Sequence, residues 1–138
     1  MKFFIDNNLP PRLARALSAL LEPDHECVHL GDRFPRKISD IEWLGILAAE
    51  GDWIVVSGDF KILRSKAEEA AWRKARLTTF FLRRGWTRSR SLSLFELTGR
   101  LILRWPEILE AASRGERGTA FEVPLTGKVR RLAGTPKT

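Results

Sequence analysis

Lys2-Phe3-Phe4-Ile5-Asp6-Asn7-Asn8-Leu9-Pro10-Pro11 is the stretch that decides the fold. A short run, apolar after Lys2, stops abruptly at three polar side chains, which predicts a buried strand ending at Ile5. Two prolines follow where a first helical turn tolerates them. Leu13, Ala14, Leu17, Leu20 and Leu21 then recur at helical spacing, predicting an amphipathic helix of about three turns. A strand that delivers polar groups into a loop and then a helix is the opening half of a β–α unit.

The same pattern repeats along the chain. Glu22-Pro23-Asp24 ends the helix, and Glu26–Leu30 predicts a second strand. Gly31–Ile38 is loop-like, with Gly31, Pro35 and several charges. Ser39-Asp40-Ile41-Glu42 fits a capping box, so a helix is expected to about Glu50, with Gly51 as its stop. Trp53-Ile54-Val55-Val56 predicts a third strand, ending at Ser57-Gly58-Asp59. A helix over Ser65–Lys74, a fourth strand over Leu77–Leu82 and a long helix over about Leu92–Ala112 follow, the last expected to break or kink at Pro106. Ala120–Val123 and Lys128–Arg131 predict a closing β-hairpin around Pro124–Gly127. The alternation implies right-handed crossovers and an α/β fold with a central, mainly parallel sheet flanked by helices. One domain is expected over residues 1–132, with 133–138 as a flexible basic tail.

The chain of 138 residues is long enough for one hydrophobic core, and 43% hydrophobic with 30% charged residues is a globular mixture. No apolar run approaches the roughly 20 residues of a membrane span, and no signal peptide is evident, so the expectation is a cytoplasmic protein without membrane contact. A single cysteine, Cys27, excludes an internal disulfide and a cysteine-rich zinc site. Net charge is +7, unevenly placed. Residues 1–60 hold ten acidic and six basic side chains, including all six aspartates; residues 61–138 hold seven acidic and 18 basic ones. One half is suited to collecting cations and the other to attracting polyanions, although surface arginines also serve solubility.

Parallel sheets place functional groups at the carboxyl ends of their strands, and Asp6 and Asp59 each lie just past one. Asp40 opens a helix whose Leu44 and Leu47 would face the core, so its carboxylate would lean over the same edge. Three carboxylates there suit a hard divalent cation, with Asn7 or Asn8 adding a neutral oxygen. Each also has a plainer role: Asp6 and Asp59 as turn residues, Asp40 as a complement to the helix dipole. Glu42 rivals Asp40 but sits about 200° further round the helix, and its capping role accounts for it. His25 and His29 lack a third ligand and read as core or surface side chains, and Cys27 as a small buried one. No glycine-rich phosphate loop is present. Arg83, Arg84, Arg88 and Arg90 surround Trp86 past the fourth strand, a combination suited to a phosphate backbone and an unstacked base. Lys61 and Arg64 would extend that channel, and Lys128-Val129-Arg130-Arg131 suits nucleic acid or an acidic partner. Five tryptophans and eight phenylalanines leave room for an apolar homodimer surface.

The opening block Met1–Leu13, then His29-Leu30, Ser39-Asp40-Ile41-Glu42-Trp43-Leu44 and Val55-Val56-Ser57-Gly58-Asp59, resembles the compact PIN-like domains of VapC-type toxins from bacterial toxin–antitoxin pairs. The likeness covers about residues 1–85 well and the remainder loosely. It implies a PIN-like, Rossmann-like fold, a Mg²⁺ or Mn²⁺ site, hydrolysis of RNA by a metal-activated water, and an inhibiting antitoxin partner. Asp6, Asp40 and Asp59 occupy the positions of the family's acids, and Ser57 stands where a Ser or Thr usually precedes the last of them. There is one departure: such nucleases typically present four acids, and here the fourth strand ends at Arg83-Arg84. Two further readings therefore stand beside a metal-dependent ribonuclease. One is a non-catalytic PIN-like module binding RNA or protein, and the other an α/β domain for a small acidic ligand.

Overall fold

In the computed structural model, which describes residues 1–58, 63, 65–83, 86 and 93–132, the opening strand β1 (Lys2–Ile5) lies inside the sheet, flanked on both sides. Its neighbours are β2 (Glu26–His29) and β3 (Trp53–Ser57), followed outward from β3 by β4 (Thr78–Leu82), β5 (Ala120–Val123) and β6 (Arg130–Arg131). The order is β2-β1-β3-β4-β5-β6, with every pair parallel except β5 and β6. The result is a single α/β domain whose mostly parallel sheet closes in an antiparallel strand pair.

Alternating side chains divide the interior into two cores. Phe3 and Ile5 of β1 pack with Leu13 and Leu17 of α1 (Pro11–Leu21) and with Leu101 and Trp105 of α5 (Leu94–Arg114). Phe4, pointing the other way, packs with Trp43 and Leu47 of α3 (Asp40–Glu50) and Trp72 of α4 (Lys66–Ala75). Each such burial stabilises the fold by roughly 1.5–3 kcal/mol. Phe4 is fully buried with its ring 5.0 Å from Trp43, so Phe4→Ala would cost about 3–5 kcal/mol.

The strands and long helices lie where the sequence pattern places them, and three departures have physical causes. A single-turn helix, α2 (Leu30–Arg33), occupies the start of the segment read as loop, because the His29 side chain accepts the Gly31 N–H at 2.9 Å and caps it. Pro106 does not break α5, which runs through it for 21 residues. The proline is exposed, while Leu101, Trp105 and Ile108 on the same helix are buried, and their burial outweighs the lost backbone bond of about 3 kcal/mol. β6 is only two residues long, and β5 joins the main sheet parallel to β4. The predicted tail, 133–138, lies outside the described residues. Among the described residues no helix is long and apolar enough to cross a membrane.

Candidate functional site

Strand order reverses direction between β1 and β3: α1 carries the chain from β1 to β2, and α3, on the other face, carries it back past β1 to β3. In open α/β sheets the crevice outside the carboxyl ends at such a reversal is where ligands bind. Asp6 follows β1 directly there, and Ser57 ends β3. The Asp6 side chain is held from both sides. The Asn7 N–H donates to Oδ1 at 2.6 Å, and the Ser57 hydroxyl donates to Oδ2 at 3.0 Å. Asn8 closes the latch, its Nδ2 donating to Ser57 Oγ at 3.4 Å while its Oδ1 accepts the Gly58 N–H at 2.7 Å. Asp6 is 7% exposed, an unusual depth for a carboxylate, and these bonds satisfy it there.

His29 secures the same loop from the β2 side. Its buried ring sits 2.7 Å from the Leu9 carbonyl through Nε2, and Nδ1 accepts the Gly31 N–H. Because Nδ1 accepts, Nε2 carries the proton and donates to Leu9. Residues 6–9 are thus tied to both neighbouring strands.

The opposite wall belongs to α3 and the turn before it. Ser39 caps α3, its Oγ accepting the Glu42 N–H at 3.2 Å. Asp40 in the first turn accepts the indole N–H of buried Trp43 on Oδ1 at 2.9 Å, which fixes its rotamer and leaves Oδ2 towards other donors or cations. Asp6, Asn7 and Asn8 on one side and Arg36, Ile38 and Asp40 on the other, together with Leu30, line a cleft of about 330 Å³. Arg36 rides on a turn closed by the Ile38 N–H to the Pro35 carbonyl at 3.0 Å, next to Phe34, whose ring packs on Phe4. Its exposed guanidinium makes no ion pair among the described residues.

Of the three aspartates singled out from the sequence, Asp6 and Asp40 therefore meet at one cleft. Asp59 lies outside the described residues, as do Lys61, Arg64, Arg84, Arg88 and Arg90. Among the described residues no three His, Cys, Asp or Glu side chains group as metal ligands. Glu42 is exposed and does not line the cleft. Two residues expected to touch RNA have partners within the chain. Trp86 is 1% exposed, its indole N–H donating to the Val123 carbonyl at 3.0 Å, so its ring is core and not a stacking platform. Arg83 pairs with Glu122 at 3.1 Å, and Arg130 holds the same carboxylate at 2.7 Å. Cys27 is buried as expected, and burial pushes its thiol up to about 12.

The PIN like domain model matches residues 1–84 of the chain. The chain belongs to the PIN-like domain family. That superfamily consists broadly of nucleases, which are hydrolases. The matched span of this PIN-like chain carries β1 to β4 and every residue of the cleft, while α5, β5 and β6 lie beyond it. No curated protein and no solved structure matches the chain.

The sequence pattern left Arg36 and the bridging role of Asn8 unassigned, and read His29 only as a core or surface side chain. Arg36 sits in a loop-like run where no periodicity tells which way a side chain points. His29 carried a usable signal: a histidine ending a strand two residues before a glycine offers its ring to the next turn.

Proposed function

We propose that this PIN-like chain is a metal-dependent endoribonuclease of the toxin type, acting in the cytoplasm and held in check by a cognate antitoxin. Asp6, Asp40 and Asp59 would hold Mg²⁺ or Mn²⁺. The observation that carries this reading is Asp6, buried at the strand-order reversal, oriented by Asn7 and Ser57, and sharing a cleft with Asp40. The donors are carboxylate and amide oxygens, the set a hard divalent cation prefers, and two carboxylates in one cleft repel unless a cation lies between them. When bound, the cation supplies charge stabilisation at the phosphate and a more acidic water.

The chain's own residues have separate tasks in this scheme. Ser57 and Asn7 hold the Asp6 carboxylate in one orientation, and Trp43 does the same for Asp40. Arg36, on a braced turn and without an ion pair among the described residues, would take a phosphate oxygen of the RNA backbone. The antitoxin partner rests on the resemblance of the opening block and the Ser-Asp-Ile-Glu-Trp block. A second reading, a non-catalytic module binding RNA or protein, is favoured by the absence of a carboxylate where β4 ends at Leu82-Arg83.

Labelled RNA incubated with Mg²⁺ or Mn²⁺ separates the two. Wild type should cleave, and EDTA or Asp6→Asn should reduce the rate by a factor of about 100 or more. Cleavage surviving either control would remove the assigned site. Binding without cleavage, across several RNAs and both metals, would establish the module instead.

A further inference from the structure

Residues 61–138 hold 18 basic against seven acidic side chains, and the arginines beside β4 and β5 do not account for that surplus, since Arg83 and Arg130 share Glu122. Within the helices, Arg73 pairs with Glu69, Arg104 with Glu107 and Arg114 with Glu110. Lys74, Arg76, Arg117 and Arg131, by contrast, are exposed and make no ion pair among the described residues.

These four meet at the amino ends of β4 and β5, the sheet edge opposite the cleft. Lys74 and Arg76 close α4 just before β4, and Arg117 precedes β5. β4 and β5 are parallel neighbours, so the two approaches arrive side by side, and a Cβ on Gly118 would stand 3.4 Å from the Arg76 Cα. Arg131 joins them because β6 runs antiparallel and sets it opposite Phe121, near the start of β5.

Two features distinguish this edge from a solvated rim of charge. Arg76 ends α4 at a φ of 52°, where glycine or asparagine is usual, and holding an arginine there costs about 1–2 kcal/mol. Beside it lie two cavities, with Gly115 in the wall of both. The first, of about 330 Å³, sets exposed Arg114 and Arg131 over buried Thr119 and Phe121. The second, of about 450 Å³, sets exposed Arg117 and Ser113 over buried Trp53, Ile54 and Thr78. Each wall also includes one carboxylate, Glu116 in the first and Asp52 in the second, and the four cations outnumber them.

We infer that this amino edge is a second contact for RNA, its arginines taking backbone phosphates and its two cavities taking neighbouring bases. The ligand class rests on the RNA reading above, whereas the metal site plays no part. A single strand alternates an anion with a flat ring, and here an arginine over apolar and hydroxyl groups occurs twice in succession. An acidic protein would match the charge, but it has no such repeat to match the paired cavities.

Fluorescence anisotropy of the full chain on single-stranded RNA of about 30 nucleotides, in EDTA and across a salt series, tests the inference. Arg76→Gly with Arg117→Gln should lower affinity about tenfold or more, and the slope of log affinity against log salt should become shallower by about 1.4, two phosphate contacts. Thermal unfolding of the Arg76→Gly chain should stay level or rise, because glycine suits the backbone there, so the loss cannot come from misfolding. Arg100→Gln with Lys128→Gln removes the same charge away from this edge and should change affinity less than about threefold. A loss in the first pair no greater than in the second, or a slope equal to wild type's, would overturn the inference and leave the cleft's metal and cleavage assays untouched. Failure of wild type to bind RNA at all would overturn it together with the RNA reading.

Discussion

At the carboxyl ends of β1 and β3, polar side chains bond to one another and border a cleft; beside β4 and β5, two arginines share one carboxylate. Asp6, Ser57 and Asn8 form the first arrangement, with Asp6 and Ser57 buried. Arg83, Glu122 and Arg130 form the second, with both arginines more than half exposed. A charge just past a strand end is common to both. What separates them is the type of partner described: the Asn7 N–H and the Ser57 hydroxyl donate to Asp6, whereas Arg83 and Arg130 share the Glu122 carboxylate. The first arrangement borders the cleft that Arg36 and Asp40 also line.

Breaking the latch should give the largest effect. Ser57→Ala removes the hydroxyl that orients Asp6 and receives Asn8, so Mn²⁺ affinity followed by electron paramagnetic resonance should fall about 10- to 100-fold. Unfolding stability should fall by about 1.5–3 kcal/mol, since one lost bond is to a carboxylate. Next comes Arg36→Ala, measured by fluorescence anisotropy on single-stranded RNA in EDTA, where no metal contributes. Affinity should drop about tenfold, and the slope of log affinity against log salt should become shallower by about 0.7, one phosphate contact. The other strand end should respond in the opposite direction. Glu122→Gln releases Arg83 and Arg130, so RNA affinity should rise about two- to threefold.

The smallest expected effect lies away from both edges. Glu50 takes two hydrogen bonds from Arg33 and a third from the Trp53 indole at 2.8 Å, and these hold its carboxyl at about 2. A depressed carboxylate contributes stability that is present above its ordinary 4.5 and lost as pH falls through about 2. Wild type should therefore melt slightly above Glu50→Gln at neutral pH. The gap should stay small because the pair is partly exposed, and it should close between pH 4.5 and about 2.

Much of this architecture was legible in the sequence because strands and helices announce themselves by period. Lys2–Ile5 and Trp53–Ser57 are short runs bounded by polar residues, and their ends locate Asp6 and Ser57 directly. Ser39 and Gly51 bracket α3 by capping chemistry, Gly51 taking a φ of 79° that favours glycine. Partner choice was not legible, because it depends on elements distant in the chain. Trp86 follows β4 in a basic run and looks like an exposed aromatic, but the Val123 carbonyl, 37 residues on, draws its indole into the core. Arg83 meets Glu122 by the same late addition of β5. Pro106 shows local propensity overruled by burial, since the residues around it on α5 belong to the core.

Titrating Mn²⁺ into metal-free protein by calorimetry, with wild type and Asp6→Asn side by side, tests most directly whether the cleft at the strand-order reversal holds a divalent ion. Wild type should bind saturably, with affinity weakened about tenfold or more by Asp6→Asn while circular dichroism of the two proteins stays the same. Equal affinity in both proteins, or no binding to wild type at millimolar metal, would contradict it.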